Sequence, residues 1–224
     1  MELNIENKEV TGEKPSLFGV ITSPSLQFER IKNSNAIWKS FWLLAALTGI
    51  VYLINTYAYI ISPEGKKANA ELGLDIPLVW QLGSGFVTGA IGFIIGAFIT
   101  AAVYKVLMIF MNNDTSYKKL LAISVYGSVI TTLGLFINGL LAIIIGETGE
   151  EMYTGLGPLL TSFNDVLHGA MKSFEIFTIW SLVISALGLY ITAGLSKKQA
   201  TVVAIIFFIF SVAFGALGGV MPKF

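Results

Sequence analysis

The sequence predicts an all-α, polytopic membrane protein with five transmembrane helices and a short N-terminal interfacial helix. Of its 224 residues, 54% are hydrophobic and only 12% charged. Mean hydropathy is +0.75, whereas about a quarter of the residues of ordinary soluble domains are charged. Five apolar runs reach the roughly 20 residues that a helix needs to cross a bilayer. More polar segments carrying Lys, Asn, Pro or Gly separate these runs.

The elements follow in order. Residues 1–14 form a polar tail of mixed charge, without the basic start and apolar core of a cleavable signal peptide. Residues 15–35 form a cytoplasmic interfacial segment. There Ser23 and Pro24 have the pattern of an N-cap and first helical residue. Phe28 gives this helix an apolar face with Ile31, beside Arg30 and Lys32, and the two bases suit anionic headgroups. The same five residues, Ser23, Pro24, Phe28, Arg30 and Lys32, could instead dock a partner. Residues 36–221 hold the five-helix domain, with spans at Ile37–Ile61, Leu82–Phe110, Leu120–Ile145, Phe174–Leu195 and Ala200–Met221. The second span is the longest, so it must tilt, kink or protrude.

Charge distribution predicts orientation. Lys8, Lys14, Arg30, Lys32, Lys39, Lys105, Lys118, Lys119, Lys197 and Lys198 fall on one side, and Lys66, Lys67, Lys172 and Lys223 on the other, ten against four. The N-terminus is therefore expected in the cytoplasm and the C-terminus outside. Lys plus Arg and Asp plus Glu both number 14, so no global charge points to nucleic acid.

The chemistry-bearing residues are few. There is no cysteine, which removes disulfides, thiolate metal sites and cysteine nucleophiles. Lys105 is the one ionisable residue well inside a span, about 8 Å of helix rise from the end of the second span, within reach of snorkelling to the interface. Asn55, Asn138, Ser124, Ser128, Thr131, Thr132, Thr178, Ser181 and Ser185 supply milder polarity. Such groups commonly bond helix to helix. An alternative is a small transporter or channel with these Asn, Ser and Thr groups along its pathway. The loop "GETGEEMYTGLGPLLTSFNDVLHG" is acidic and carries the single histidine, His168. A lone histidine among scattered carboxylates is a poor metal set, although an acidic surface could attract a cationic peptide or divalent ions. No nucleophile and base, metal set or dinucleotide fingerprint is present. We therefore expect no catalytic residues, metal or cofactor.

Glycine placement carries more information. Gly85, Gly89, Gly92 and Gly96 in the second span fall within roughly 60° of one helix face. This smooth groove invites close approach by another helix. The last span has a comparable row in Ser211, Gly215 and Gly219. These two helices are candidate neighbours, or one of the grooves faces a partner chain.

Three stretches together resemble the bacterial branch of the Yip1 family: "SPSLQFERIKN", "DTSYKKLLAISVYGSVI" and "FEIFTIWSLVISALGLYITAGLSKKQAT". The last is the most specific, with Phe177, Thr178, Trp180 and Ser181 in the span and Gly194, Ser196, Lys197 and Lys198 in the turn after it. The resemblance implies a five-helix membrane domain with a cytoplasmic N-terminus in the bacterial cell membrane, and no established catalytic activity. It also implies association with other membrane proteins, ABC exporter subunits in particular, in support of exporter assembly or resistance to a toxic peptide. Contact with lipid and self-association are the remaining partner expectations.

Overall fold

The computed structural model describes residues 13–34, 37–73, 76–161 and 164–220. Most of the polar tail, Lys8 with it, lies outside the described residues, as do Met221 at the expected end of the last span and Lys223. Among the described residues the secondary structure is helical apart from a single bridge between Gly155 and Glu175. Helix α1 spans Gly19–Thr22 and α2 Pro24–Asn33; α3 covers Trp38–Ile61 and α4 Pro63–Leu72. Helix α5 runs over Leu78–Phe110, α6 over Tyr117–Ile145, α7 over Asp165–Met171, α8 over Ile176–Ile191 and α9 over Lys197–Gly218, with a 3-10 turn at Gly157–Leu160.

Four helices, α3, α5, α6 and α9, are long and apolar enough to cross a membrane, and α8 is a shorter apolar helix. The expected fourth span is thus abbreviated to 16 residues, about 24 Å of rise, against a hydrocarbon core of about 30 Å. Local chemistry sets both its ends. Glu175 caps the first turn, accepting from the backbone N–H of Phe177 and Thr178. Past the last turn Gly194 takes φ +70°, a conformation that glycine adopts without penalty. The next helix then opens on a reciprocal cap: Ser196 Oγ accepts from Gln199 N–H, and Gln199 Oε1 accepts from Ser196 N–H, the capping-box arrangement. At the other extreme, α5 has 33 residues, about 50 Å of rise.

The chain divides into two compact units. One comprises Met1–Leu44, Ile94–Ile130 and Trp180–Ile206, the other Ala45–Phe93, Thr131–Ile179 and Phe207–Phe224.

In the first unit, α2 is packed against protein. Phe28 is fully buried, and Gln27 and Ile31 are nearly so. The absence of a side chain at Gly188 in α8 makes room for the Phe28 ring: a Cβ there would lie 2.6 Å from it and 2.9 Å from Ile123. Thr192 Oγ1 donates to the Phe28 carbonyl at 2.9 Å. The segment ahead of α1 is tied in as well, since the Tyr126 hydroxyl donates to the Pro15 carbonyl and Gln27 Oε1 accepts from Ser16 N–H. The face bearing Phe28 and Ile31 therefore fills the interior of this unit, and Leu26 and Lys32 lie on the exposed side.

In the second unit, α3 and α5 meet closely. A Cβ on Gly89 would fall 2.5 Å from Tyr52 Cβ, and one on Gly85 would collide with Thr56. Thr48 and Thr132 share a buried hydroxyl bond of 3.1 Å. Asn55 donates to the Val51 and Leu135 carbonyls at 2.9 and 3.3 Å. Helix α4 starts on a Ser62 cap that accepts from Gly65 N–H and ends where Gly73 takes φ +61°.

Candidate functional site

The glycine face of α5 is split by its surroundings. Gly85 and Gly89 are buried under Thr56 and Tyr52 of α3, whereas Gly92 and Gly96 are exposed and a Cβ on either would meet nothing within 4 Å. Ile91, Ile95 and Ile99 are exposed beside them. The row in α9 is covered by a different element from the one suggested by spacing alone. Gly215 touches the backbone of Gly169 in α7, Gly219 faces the Asp165 carbonyl, and Ser211 Oγ bonds Ser173 Oγ at 3.0 Å. Small residues at 169, 215 and 219 let the two backbones approach to a spacing that a side chain would prevent.

The family-like residues lie apart along α8 and the turn after it. Phe177 stacks over Gly134, where a Cβ would lie 2.6 Å from its own Cβ. Thr178 bonds Glu175 through both its N–H and its hydroxyl. Trp180 and Ser181 are half-buried, and Gly194 and Ser196 make the turn and cap described above. Lys197 rests over the Tyr190 ring at 5.8 Å, and Lys198 is exposed. At the N-terminal end, Ser23 makes no side-chain cap bond, Pro24 opens α2, Arg30 pairs with Glu13 and Lys32 is exposed.

Most of the polar groups of the spans are engaged with the protein itself. Asn138 donates to the Gly134 carbonyl and exchanges bonds with Thr154, whose N–H donates to Asn138 Oδ1 at 3.0 Å. Ser124 donates to the Ala97 carbonyl and Ser128 to the Ser124 carbonyl. Lys105 donates to the Thr115 carbonyl at 3.0 Å, so it closes the turn between α5 and α6. Asn113 and Thr115 hold that turn to the Ala193 carbonyl.

Residues that the sequence did not single out are concentrated around the acidic loop. Glu175 is 3% exposed. Its Oε1 accepts from the Thr154 hydroxyl at 2.6 Å and Phe177 N–H at 3.0 Å, and its Oε2 from Thr178 N–H at 2.6 Å and the Thr178 hydroxyl at 2.9 Å. The available signal was an acidic residue immediately before an apolar helix, where an N-cap belongs. Nearby, Glu151 joins His168 and Lys172: its Oε1 lies 2.6 Å from Lys172 Nζ and its Oε2 3.1 Å from His168 Nε2. Burial, followed by the Glu147, Glu151 and Glu150 carboxylates, raises the Tyr153 phenol above its ordinary pKa. His168, Lys172, Glu150, Glu151, Asp165 and Thr178 border a cavity of about 560 Å³. Among the described residues no three His, Cys, Asp or Glu gather as metal ligands.

Comparison with known proteins gives a consistent result. The Yip1 domain profile matches residues 18–218. The chain is 35% identical, over 227 aligned residues, to the membrane protein YknW of Bacillus subtilis (strain 168), covering 99% of this chain and 97% of that protein. No solved structure matches.

Proposed function

Because this chain belongs to the Yip1 family of membrane proteins, we propose that it is a non-enzymatic accessory protein that associates with other proteins in the bilayer. An ABC exporter is the first candidate partner, with support of exporter assembly or of resistance to a toxic peptide as the outcome. In this reading the N-terminus lies in the cytoplasm of a bacterial cell, following the ten-to-four distribution of basic residues.

The observation that carries the proposal is the open half of the α5 glycine face. Gly92 and Gly96 offer a smooth surface on the longest described helix, where an added Cβ would meet nothing within 4 Å among the described residues, bordered by exposed isoleucines. Helix association in lipid relies on close backbone approach and dispersion, and this stretch provides for it. The transporter reading has less support, because Asn55, Asn138, Ser124 and Ser128 already serve as bonds within the protein.

The test is the Gly92→Leu/Gly96→Leu double variant. Both positions have open space, so the leucines leave the protein's own packing intact, unlike leucine at Gly89, which would strike Tyr52. Co-purification in mild detergent with exporter subunits, or with a tagged second copy, is expected to fall sharply. Undiminished co-purification by a variant with wild-type elution and helix content would refute use of this face. Protein reconstituted alone should show no flux of ions or peptides, and selective flux would favour the transporter.

A further inference from the structure

In the first unit the turns that lead into α6 and α9 are bonded to each other. Asn113 Nδ2 and Thr115 Oγ1 donate to the Ala193 carbonyl at 2.9 and 3.1 Å. A lysine pair leaves each turn: Lys118 and Lys119 at the start of α6, Lys197 and Lys198 at the start of α9. Lys118, Lys197 and Lys198 are exposed and Lys119 is half-buried. Lys197 rests over the Tyr190 ring, and among the described residues none of the four pairs with a carboxylate. The acids described in this unit are Glu13, Glu29 and Asp114, fewer than its bases, and Glu13 is taken up by Arg30. Four and seven residues past Lys198, on the same face of α9, Val202 and Ile205 are exposed. The surface is therefore cationic at its rim and apolar directly beneath.

We propose that this surface binds a phospholipid with an anionic headgroup, its phosphate among the four lysines and an acyl chain along Val202 and Ile205. The lysine pairs stand where the apolar lengths of α6 and α9 begin, the level at which headgroups meet hydrocarbon. A free phosphate or an acidic peptide would answer the charges and leave the apolar stripe uncovered. A zwitterionic lipid would cover the stripe and bring its own cation to the lysines. The bases of α2 are less suited to this contact, because Phe28 and Ile31 turn that helix into the unit and Arg30 is engaged by Glu13. The binding depends neither on association with an exporter nor on which leaflet holds this end of the protein.

The experiment is native mass spectrometry of the full chain in mild detergent with equal amounts of dioleoylphosphatidylglycerol and dioleoylphosphatidylcholine. The wild-type protein is expected to retain the anionic lipid at least about fivefold more than the zwitterionic one, the worth of one lysine beside an anionic headgroup. Lys118→Gln/Lys119→Gln/Lys197→Gln/Lys198→Gln should bring the ratio near one, and either pair replaced alone should lower it. Arginine at the same four positions should preserve it, as should Lys66→Gln/Lys67→Gln, which removes positive charge from the second unit. Glycerol 3-phosphate at millimolar concentration should not displace the lipid. Helix content and elution volume verify that each variant is folded. Equal retention of the two lipids by the wild type, an unchanged ratio in the folded glutamine variants, an equal fall in Lys66→Gln/Lys67→Gln, or displacement by glycerol 3-phosphate would overturn the proposal.

Discussion

Replacing Glu175 with alanine isolates the group that joins α8 to the acidic loop. The side chain is almost fully buried and accepts four hydrogen bonds. Two come from backbone N–H groups in the first turn of α8, which the helix itself cannot satisfy. Losing an N-cap costs about 1 kcal/mol. Leaving buried donors unmet adds about 1–3 kcal/mol, so the variant should lose roughly 2–4 kcal/mol. The Thr154 hydroxyl keeps its contact with Asn138 Oδ1 at 3.2 Å, which limits the loss there. Glutamine is no conservative replacement, because its NH₂ must face one of these donors. Aspartate can still cap the N–H groups of Phe177 and Thr178 but is too short for Thr154, so Glu175→Asp should recover about 1 kcal/mol. The assay is denaturation in mixed detergent micelles followed by helical circular dichroism. An alanine variant within about 0.5 kcal/mol of wild type, or an aspartate variant no better than alanine, would refute the capping role.

Three further substitutions test other contacts and charges of the fold. Phe28→Ala vacates a fully buried site against Gly188 and Ile123 and should cost about 3 kcal/mol, detectable as earlier unfolding and faster proteolysis ahead of α3; Gly188→Ala, whose Cβ would press on the same ring, should weaken the same attachment by about 1–3 kcal/mol. For Tyr153, the folded chain holds the phenol above its ordinary value, so the unfolded chain ionises first and stability falls as pH rises beyond about 10; Tyr153→Phe should make that slope shallower, and an unchanged slope would place its source elsewhere.

The fold class and the positions of the apolar helices were legible in the sequence because the bilayer imposes a simple rule. A run of about 20 apolar residues satisfies its own backbone as a helix, and the observed helices begin and end close to the expected runs. Helix α8 departed from that pattern because its length is set by Glu175 at one end and by Gly194 at the other. Hydropathy does not register such capping chemistry. The α5 glycines were likewise visible as one face, but spacing around a helix says nothing about how far along it a neighbour extends. Gly85 and Gly89 meet α3, whereas an added Cβ on Gly92 or Gly96 would meet nothing within 4 Å among the described residues.

The sequence by itself determined that this is a membrane protein built from apolar helices, where the long apolar helices lie and which family it belongs to, since these depend on local composition and on motifs contiguous in the chain. Only the tertiary structure decided which polar groups are used and by what. It set Phe28 against Gly188, 160 positions further along, turned Lys105 onto the Thr115 carbonyl, and collected Glu151, His168 and Lys172 into one cluster. The physical reason is that a hydrogen bond or ion pair is made over about 3 Å. Composition and periodicity record which residues could form such contacts, and only the packing of distant segments brings the two partners within that distance.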